Sequence, residues 1–237
     1  MKNHKLYAFT GLMFSGKDYV AEQAKLKPLS VAKPIYELVE YFTGYTRKNP
    51  EVPGIRRLWQ QIGQWGWGDI SDKTPLTIER VLMTSQIRMM GGHMTKSFKW
   101  VDWERYGQRK DFWINICLSA LRQELLDIDN NQSVFDTNSP GGRYAITNAR
   151  FHHEVTPLKE FGFQTYHVLC SEATRQERMA LKGYKQSALE ANDISEQMAK
   201  DLMSTVNDDH VIWSDHRDMP EGHLYWTVAE FCNMTNK

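Results

Sequence analysis

The chain has no excess of either charge. Over 237 residues, 29 Lys and Arg stand against 29 Asp and Glu, a formal net charge of zero. That balance argues against a protein whose main task is coating nucleic acid, which normally carries a basic excess. It leaves room for a local basic cleft suited to a small polyanion. Cysteine is scarce and odd in number: Cys117, Cys170 and Cys232 are widely spaced, each within an apolar run, so buried reduced thiols are expected rather than a disulfide framework. No run reaches the ~18 consecutive apolar residues of a membrane span. The N-terminus passes from Lys2-Asn-His-Lys5 straight into a strand, without the apolar stretch and small-residue site of a signal peptide. No internal repeat is present. A cytoplasmic enzyme of one sizeable α/β domain is the expectation, and the length suffices for a core with an appendage.

One abundance stands against these absences. Tryptophan occurs eight times, and Trp59, Trp65, Trp67, Trp100 and Trp103 share one middle region. Elsewhere short apolar runs alternate with helical patterns. Leu6–Thr10 reads as a strand, Tyr19–Ala24 as a helix, Leu29–Val31 as an apolar step, and Ala32–Phe42 as a helix closed by Gly44. A turn at Asn49–Gly54 precedes a helix from Arg56 to Trp67, and a further helix is expected from Pro75 to Met90. Residues 69–109 read as an insertion or substrate-side flap. Asp111–Asp127 is a long amphipathic helix with Phe112, Ile116, Ala120 and Leu121 on one side, followed by a surface connection from Ile128 to Gly142. Then come a strand at Tyr144–Thr147, a helix at His152–Phe161, a strand at Tyr166–Cys170, a helix from Ser195 to Val206, a strand at His210–Trp213 and a final helix at Glu221–Phe231. Strands alternating with helices predict a parallel sheet covered on both faces.

The densest chemical signal is Gly11-Leu-Met-Phe14-Ser15-Gly16-Lys17-Asp18, directly after the first strand and opening the first helix. A strand, a glycine-bounded loop ending in lysine, and a helix form the layout of a phosphate-binding P-loop. Backbone N–H groups of the loop and of the helix start converge on phosphate oxygens, and Lys17 adds a mobile positive charge. Asp18 stands where a Ser or Thr hydroxyl usually holds magnesium. A carboxylate beside a polyphosphate is repulsive without an intervening cation, so Asp18 reads as a Mg²⁺ ligand, direct or through water. A helix-start carboxylate favoured by the helix dipole is compatible with that role.

Three further constellations follow. Asn148 and Arg150 stand just past the Tyr144–Thr147 strand, where open α/β sheets bind ligands; the plainer alternative is a turn Asn and a surface Arg. The adjacent pair His152-His153 points apart at a helix start and reads as helix surface, not as a metal site. The stretch Arg175, Arg178, Lys182 and Lys185 reads either as a solvated helix face or as a lid closing on phosphates. In the middle segment, Arg56, Arg57, Gln60, Gln61 and Trp65, with Lys110, Asp111, Phe112 and Trp113 after the insertion, combine arginine forks for phosphate, amides for base edges and rings for base planes. Trp59, Ile62 and Phe112 in that stripe more often mean core.

Taken in order, these segments resemble the bacteriophage deoxynucleoside monophosphate kinases. In that family Gly-Lys-Asp replaces Gly-Lys-Ser/Thr. The likeness continues through Ser30-Val-Ala-Lys-Pro34, Arg57-Leu-Trp-Gln-Gln-Ile-Gly63, Asp111-Phe-Trp113, Asn148-Ala-Arg-Phe151 with Glu154, and Ser195-Glu196. Two departures accompany it: the family has aspartate at the position of Asn148, and the segment between Gly68 and Lys110 is longer here. The resemblance implies a P-loop kinase of three-layer α/β/α architecture with a parallel sheet, one domain over 1–237, a helical substrate-binding region over about 44–110 and a lid over about 172–195. It implies a homodimer that moves the γ-phosphoryl group of ATP onto a deoxynucleoside 5′-monophosphate with Mg²⁺. On this reading Gly11, Phe14, Ser15, Gly16, Lys17, Asp18 and Tyr19 bind ATP, and Asp18 serves the metal. Lys17, Asp18, Arg150, Arg175 and Arg178 serve transfer; Arg56, Arg57, Gln61, Trp65, Lys110, Asp111, Trp113 and Asn148 hold the acceptor. Gly-Lys-Asp also occurs in phosphomevalonate kinases, so a kinase of another small phosphorylated metabolite is one alternative. An interaction protein that hydrolyses ATP as a switch is another.

Overall fold

The computed structural model describes residues 4–45, 112–131, 142–149, 152–183, 210–215, 219 and 225–236. These fall into two compact units, one formed by Lys2–Leu29 with Pro140–Lys237, the other by Ser30–Ser139 with Met1.

The first unit is an α/β sheet structure. Its elements are β1 (Lys5–Thr10), α1 (Lys17–Gln23), β2 (Lys27–Leu29), and, after the second unit's residues, β3 (Arg143–Ile146) and onward. Between β1 and β3 the chain contributes α2 (Lys33–Thr43) and α3 (Phe112–Asn131) to the second unit. Returning to the first, β3 leads to α4 (His152–Phe161), β4 (Gln164–Leu169), α5 (Glu172–Leu181), β5 (Val211–Trp213), β6 (Trp226–Thr227) and α6 (Val228–Thr235). Among the described residues the sheet has six strands in the order β2-β3-β1-β4-β5-β6. Every pairing is parallel, with Tyr7 opposite Ala145 on one side and Gln164 on the other. This architecture is compatible with three α/β/α layers.

The parallel sheet follows from the sequence physics. All of Leu6, Tyr7, Ala8 and Phe9 are buried, so β1 is covered on both faces, as a parallel strand must be. Tyr7, Phe9, Val168 and Ile212 share one core with Val20, Ala21 and Ala24 of α1 and Val228 and Phe231 of α6. Phe231 lies edge-on to three rings, Tyr7, Phe9 and Tyr166, at 5.5, 5.5 and 5.1 Å. Each such pair contributes about 0.5–1.5 kcal/mol beyond its buried area.

The last helix is a correction. The expected span Glu221–Phe231 does not form as one helix, because Trp226–Thr227 pairs with β5 as a sixth strand. The helix starts only at Val228, after Thr227, and runs to Thr235. Thr227 Oγ1 accepts from the Glu230 amide at 3.2 Å, and Glu230 Oε2 accepts from the Thr227 amide at 2.8 Å, a reciprocal cap. The Thr227 amide and hydroxyl, both donating to Glu230 Oε2 at 2.8 Å, hold the Glu230 carboxyl below its ordinary range. The Thr-Val-Ala-Glu spacing was a readable start signal.

Smaller corrections have similar causes. The apolar step expected at Leu29–Val31 is β2 at Lys27–Leu29. The long helix expected to end at Asp127 continues to Asn131, so the connection begins later than Ile128. Of the three free thiols Cys117 is buried, but Cys170 and Cys232 are only half-buried. Other boundaries agree: α4 spans the expected residues, and Gly44, at φ +73°, ends α2 with its amide donating to Glu40 O at 2.8 Å. In the second unit α3 buries Trp113, Ile114, Ile116, Leu118, Leu121 and Leu125. The expected helices over 56–67, 75–90 and 195–206 lie outside the described residues. No described helix is long and apolar enough to cross a membrane.

Candidate functional site: the Gly11–Asp18 loop

The loop sits where sheet topology puts a ligand crevice. From β1 the chain moves to β2 and β3 on one side, and β4 then opens the other side. The carboxyl end of β1 is therefore a topological switch point, the place where open parallel sheets bind ligands. Residues 11–16 leave β1 there and enter α1 at Lys17.

The loop backbone takes conformations that its sequence allows. Gly11 has φ +130° and Gly16 φ +99°, both in the region that favours glycine, and Phe14 joins them at φ +65°. A Cβ on Gly16 would lie 2.6 Å from Ser214 Oγ and 2.9 Å from Arg178 Nη1. A Cβ on Gly11 would collide with the Val168 carbonyl oxygen of β4. Both glycines thus serve close approach as well as φ.

Lys17 is buried, and its ammonium bends back over the loop. It donates to Gly11 O at 2.8 Å, Leu12 O at 2.5 Å and Ser15 Oγ at 3.5 Å. The Ser15 amide donates to Leu12 O at 3.2 Å. Asp18 and Tyr19 are exposed on the first turn of α1.

A second layer lies behind the loop. Arg178 of α5 donates through Nη1 to Phe14 O at 3.2 Å and Ser214 Oγ at 3.1 Å, and through Nη2 to Ser214 O at 3.2 Å. Ser214 Oγ donates to Ser15 O at 2.5 Å. Cys170 Sγ approaches Phe14 O at 3.9 Å; burial pushes this thiol up, and the Arg178 guanidinium offsets part of the rise. Ser171 caps α5, accepting from the Thr174 amide at 3.2 Å and donating to Asp215 Oδ2 at 2.9 Å; the Thr174 hydroxyl also donates to that carboxylate oxygen.

Arg175 is buried and forms a bidentate pair with Glu172 on its own helix, at 2.8 and 2.9 Å. Within 172–181 the two arginines expected to face phosphates are thus engaged with a carboxylate and with loop carbonyls. Lys182 is exposed, and Lys185 and the rest of the expected lid lie outside the described residues.

Compared with known protein families, curated proteins and solved structures, the chain matches none. The site is therefore argued from its own geometry. Asn148 is half-buried two residues past the carboxyl end of β3, beside β1 in the sheet. Trp113 is 1% exposed on α3, in the second unit. Arg56, Arg57, Gln61, Trp65, Lys110, Asp111 and Arg150 lie outside the described residues.

Sequence reading gave no role to Thr10, His167, Ser214 or Asp215. A polar residue inside a buried strand, or just past its carboxyl end, was the signal available. His167, in β4, is 1% exposed; its Nδ1 lies 2.6 Å from Thr10 Oγ1, and its Nε2 has no hydrogen-bond partner among the described residues. Burial, with a smaller push from the Lys17 ammonium, lowers this imidazole to about 4. The folded chain therefore holds it neutral. An unfolded chain protonates the same ring near 6.5, so stability is full above that pH and falls as pH drops from 6.5 toward 4. The loss attributable to His167 approaches about 3 kcal/mol. Urea midpoints between pH 7 and 4.5 are expected to fall less steeply in His167→Gln than in the unaltered chain. Equal slopes would remove the imidazole as the cause.

Proposed function

We propose that this chain is a P-loop phosphotransferase that moves the γ-phosphoryl group of ATP onto the phosphate of a deoxynucleoside 5′-monophosphate. The observation that carries the proposal is Lys17, buried at a switch point, with its ammonium over a glycine-bounded loop in which Gly11, Phe14 and Gly16 sit at positive φ. Such a loop supplies converging amides, and the lysine adds a point charge that reaches outer phosphate oxygens. The acceptor class rests on the resemblance of the ordered sequence segments to those of the phage kinases.

In this reaction an acceptor phosphate oxygen forms a bond to the γ-phosphorus as the bond to the β–γ bridging oxygen breaks, releasing ADP. The acceptor is already ionised at neutral pH, so no general base is required. What is required is neutralisation of two polyanions at fixed distance. The loop amides hold the donor, Lys17 follows the transferred charge, and Arg150 with the middle-segment arginines completes the clamp on the acceptor. Asp18 fits a magnesium role: magnesium is usually held by one or two carboxylates plus substrate phosphates, and this carboxylate is exposed beside Lys17. Magnesium would neutralise charge on the β- and γ-phosphates. Among the described residues no cluster of three His, Cys, Asp or Glu offers an all-protein site. A homodimer belongs to the same proposal.

The test is ADP release, coupled to a readout, with each deoxynucleoside monophosphate in turn. Release that requires one or more of these acceptors is expected. ADP formed at the same rate without acceptor would identify an ATP-hydrolysing switch. Release only with a phosphorylated metabolite that lacks a base would identify the other kinase class.

A further inference from the structure

The layer behind the loop has a geometry that packing alone does not demand. Two donors converge on the carbonyl side of two consecutive peptides. Arg178 Nη1 reaches Phe14 O at 3.2 Å, and Ser214 Oγ reaches Ser15 O at 2.5 Å. Arg178 also fixes Ser214 itself, through both its hydroxyl and its carbonyl, at 3.1 and 3.2 Å. The Ser214 amide is tied in turn to Leu169 O at the end of β4, at 2.7 Å. The two residues thus form one rigid bracket anchored on the sheet.

The peptide bonds of the loop are trans. In a trans peptide the carbonyl and the following N–H point in opposite directions. Holding Phe14 O and Ser15 O against the bracket therefore turns the Ser15 and Gly16 N–H groups to the side away from Arg178 and Ser214. The Ser15 amide shows this orientation, donating across the loop to Leu12 O at 3.2 Å. Gly16 allows the approach, since any Cβ there would press on Ser214 and Arg178.

We propose that Arg178 and Ser214 are positioning residues of the phosphate loop, acting from behind on the Phe14–Ser15 and Ser15–Gly16 peptides so that the Ser15 N–H stays in its turn with Leu12 O and the Gly16 N–H is preset for an anionic oxygen. Arg178 in this role acts through the loop and does not touch the transferred group. The inference rests on the phosphate-loop reading above. Preorganisation of donors before a ligand arrives is what gives such a cradle its affinity.

The test is calorimetric binding of Mg-ATP and, separately, inorganic tripolyphosphate to the full chain, with melting temperatures measured in parallel. The variants are Ser214→Ala, Arg178→Met, the pair together, and Arg178→Lys. Each of the first two is expected to weaken both ligands about tenfold, the scale of one lost hydrogen bond. The pair together is expected to weaken them by little more than the stronger single change, because both act on the same two peptides. Arg178→Lys, which keeps a charge and one donor direction, is expected to regain part of the loss.

A fully additive double variant would mean two independent contacts and overturn the bracket. Unchanged affinity in Ser214→Ala, with or without a lower melting temperature, overturns it as well, leaving a brace for the fold. Absence of binding by the unaltered chain overturns the phosphate-loop reading and this inference with it. Those outcomes are distinguishable, because the last is read on the unaltered chain alone.

Discussion

Lys17→Ala is expected to lower kcat by a factor on the order of 10²–10³ while leaving the melting temperature close to that of the unaltered chain. The kinetic loss is that of removing one preorganised charge from a transferring group. The fold is spared because the ammonium's hydrogen bonds to Gly11 O, Leu12 O and Ser15 Oγ are local to the loop, and because alanine favours the helix that begins at this position. ADP release against acceptor concentration, with a thermal melt, reads both quantities. Near-normal turnover would remove the phosphate-loop assignment. The same variant has a second signature. Lys17 contributes to the lowered pKa of His167, after burial, so the stability lost on acidification is expected to shrink in this variant, levelling off at a higher pH, without vanishing.

Gly11→Ala is expected to have the largest effect on the fold around the loop. At φ +130° an L side chain is strained, and its Cβ would overlap the Val168 carbonyl oxygen and lie 3.1 Å from Ser15 Oγ. The obstacle is backbone of the central strand β4, which cannot swing aside as a flexible side chain does. Strain of this kind costs about 1–3 kcal/mol and the collision adds to it. A loss of roughly 3 kcal/mol lowers Tm by about 6–12 °C in a chain of this size. Nucleotide binding should fail together with stability. Gly183→Ala is the matched control: its φ is +74°, yet no atom of the described residues lies within 4 Å of the added Cβ, so the local conformational cost is what remains. Equal melting temperatures for the two variants would show that the loop does not press on β4.

Local chemistry determined much of this protein. The run Leu6–Thr10 had to be a buried strand, the glycines of 11–16 had to turn it, and the residues after Lys17 had to wind into a helix. Those features depend on neighbours within a few positions, so the sequence carries them whole. The same holds for α4, matched at both ends, and for Gly44 as a helix stop. The alternation of strands and helices likewise announced a parallel sheet before its order was known.

Other features depend on partners far apart in the chain. Arg178 in sequence is one basic residue of a helical stretch, equally suited to solvent or to phosphate. Only folding brings it to Phe14, 164 positions away, and brings Ser214 to Ser15, 199 positions away. The two-residue strand β6 was missed because its strand character comes from pairing with β5 and not from its own short pattern. His167 looked like one polar residue in an apolar run; register opposite Thr10 buries it beneath the loop and makes it neutral. Sequence thus determined the loop and the lysine that ends it, through short-range conformational rules. Tertiary structure decided what holds that loop in shape, because hydrogen-bond direction and burial are properties of residues that meet only in the folded chain.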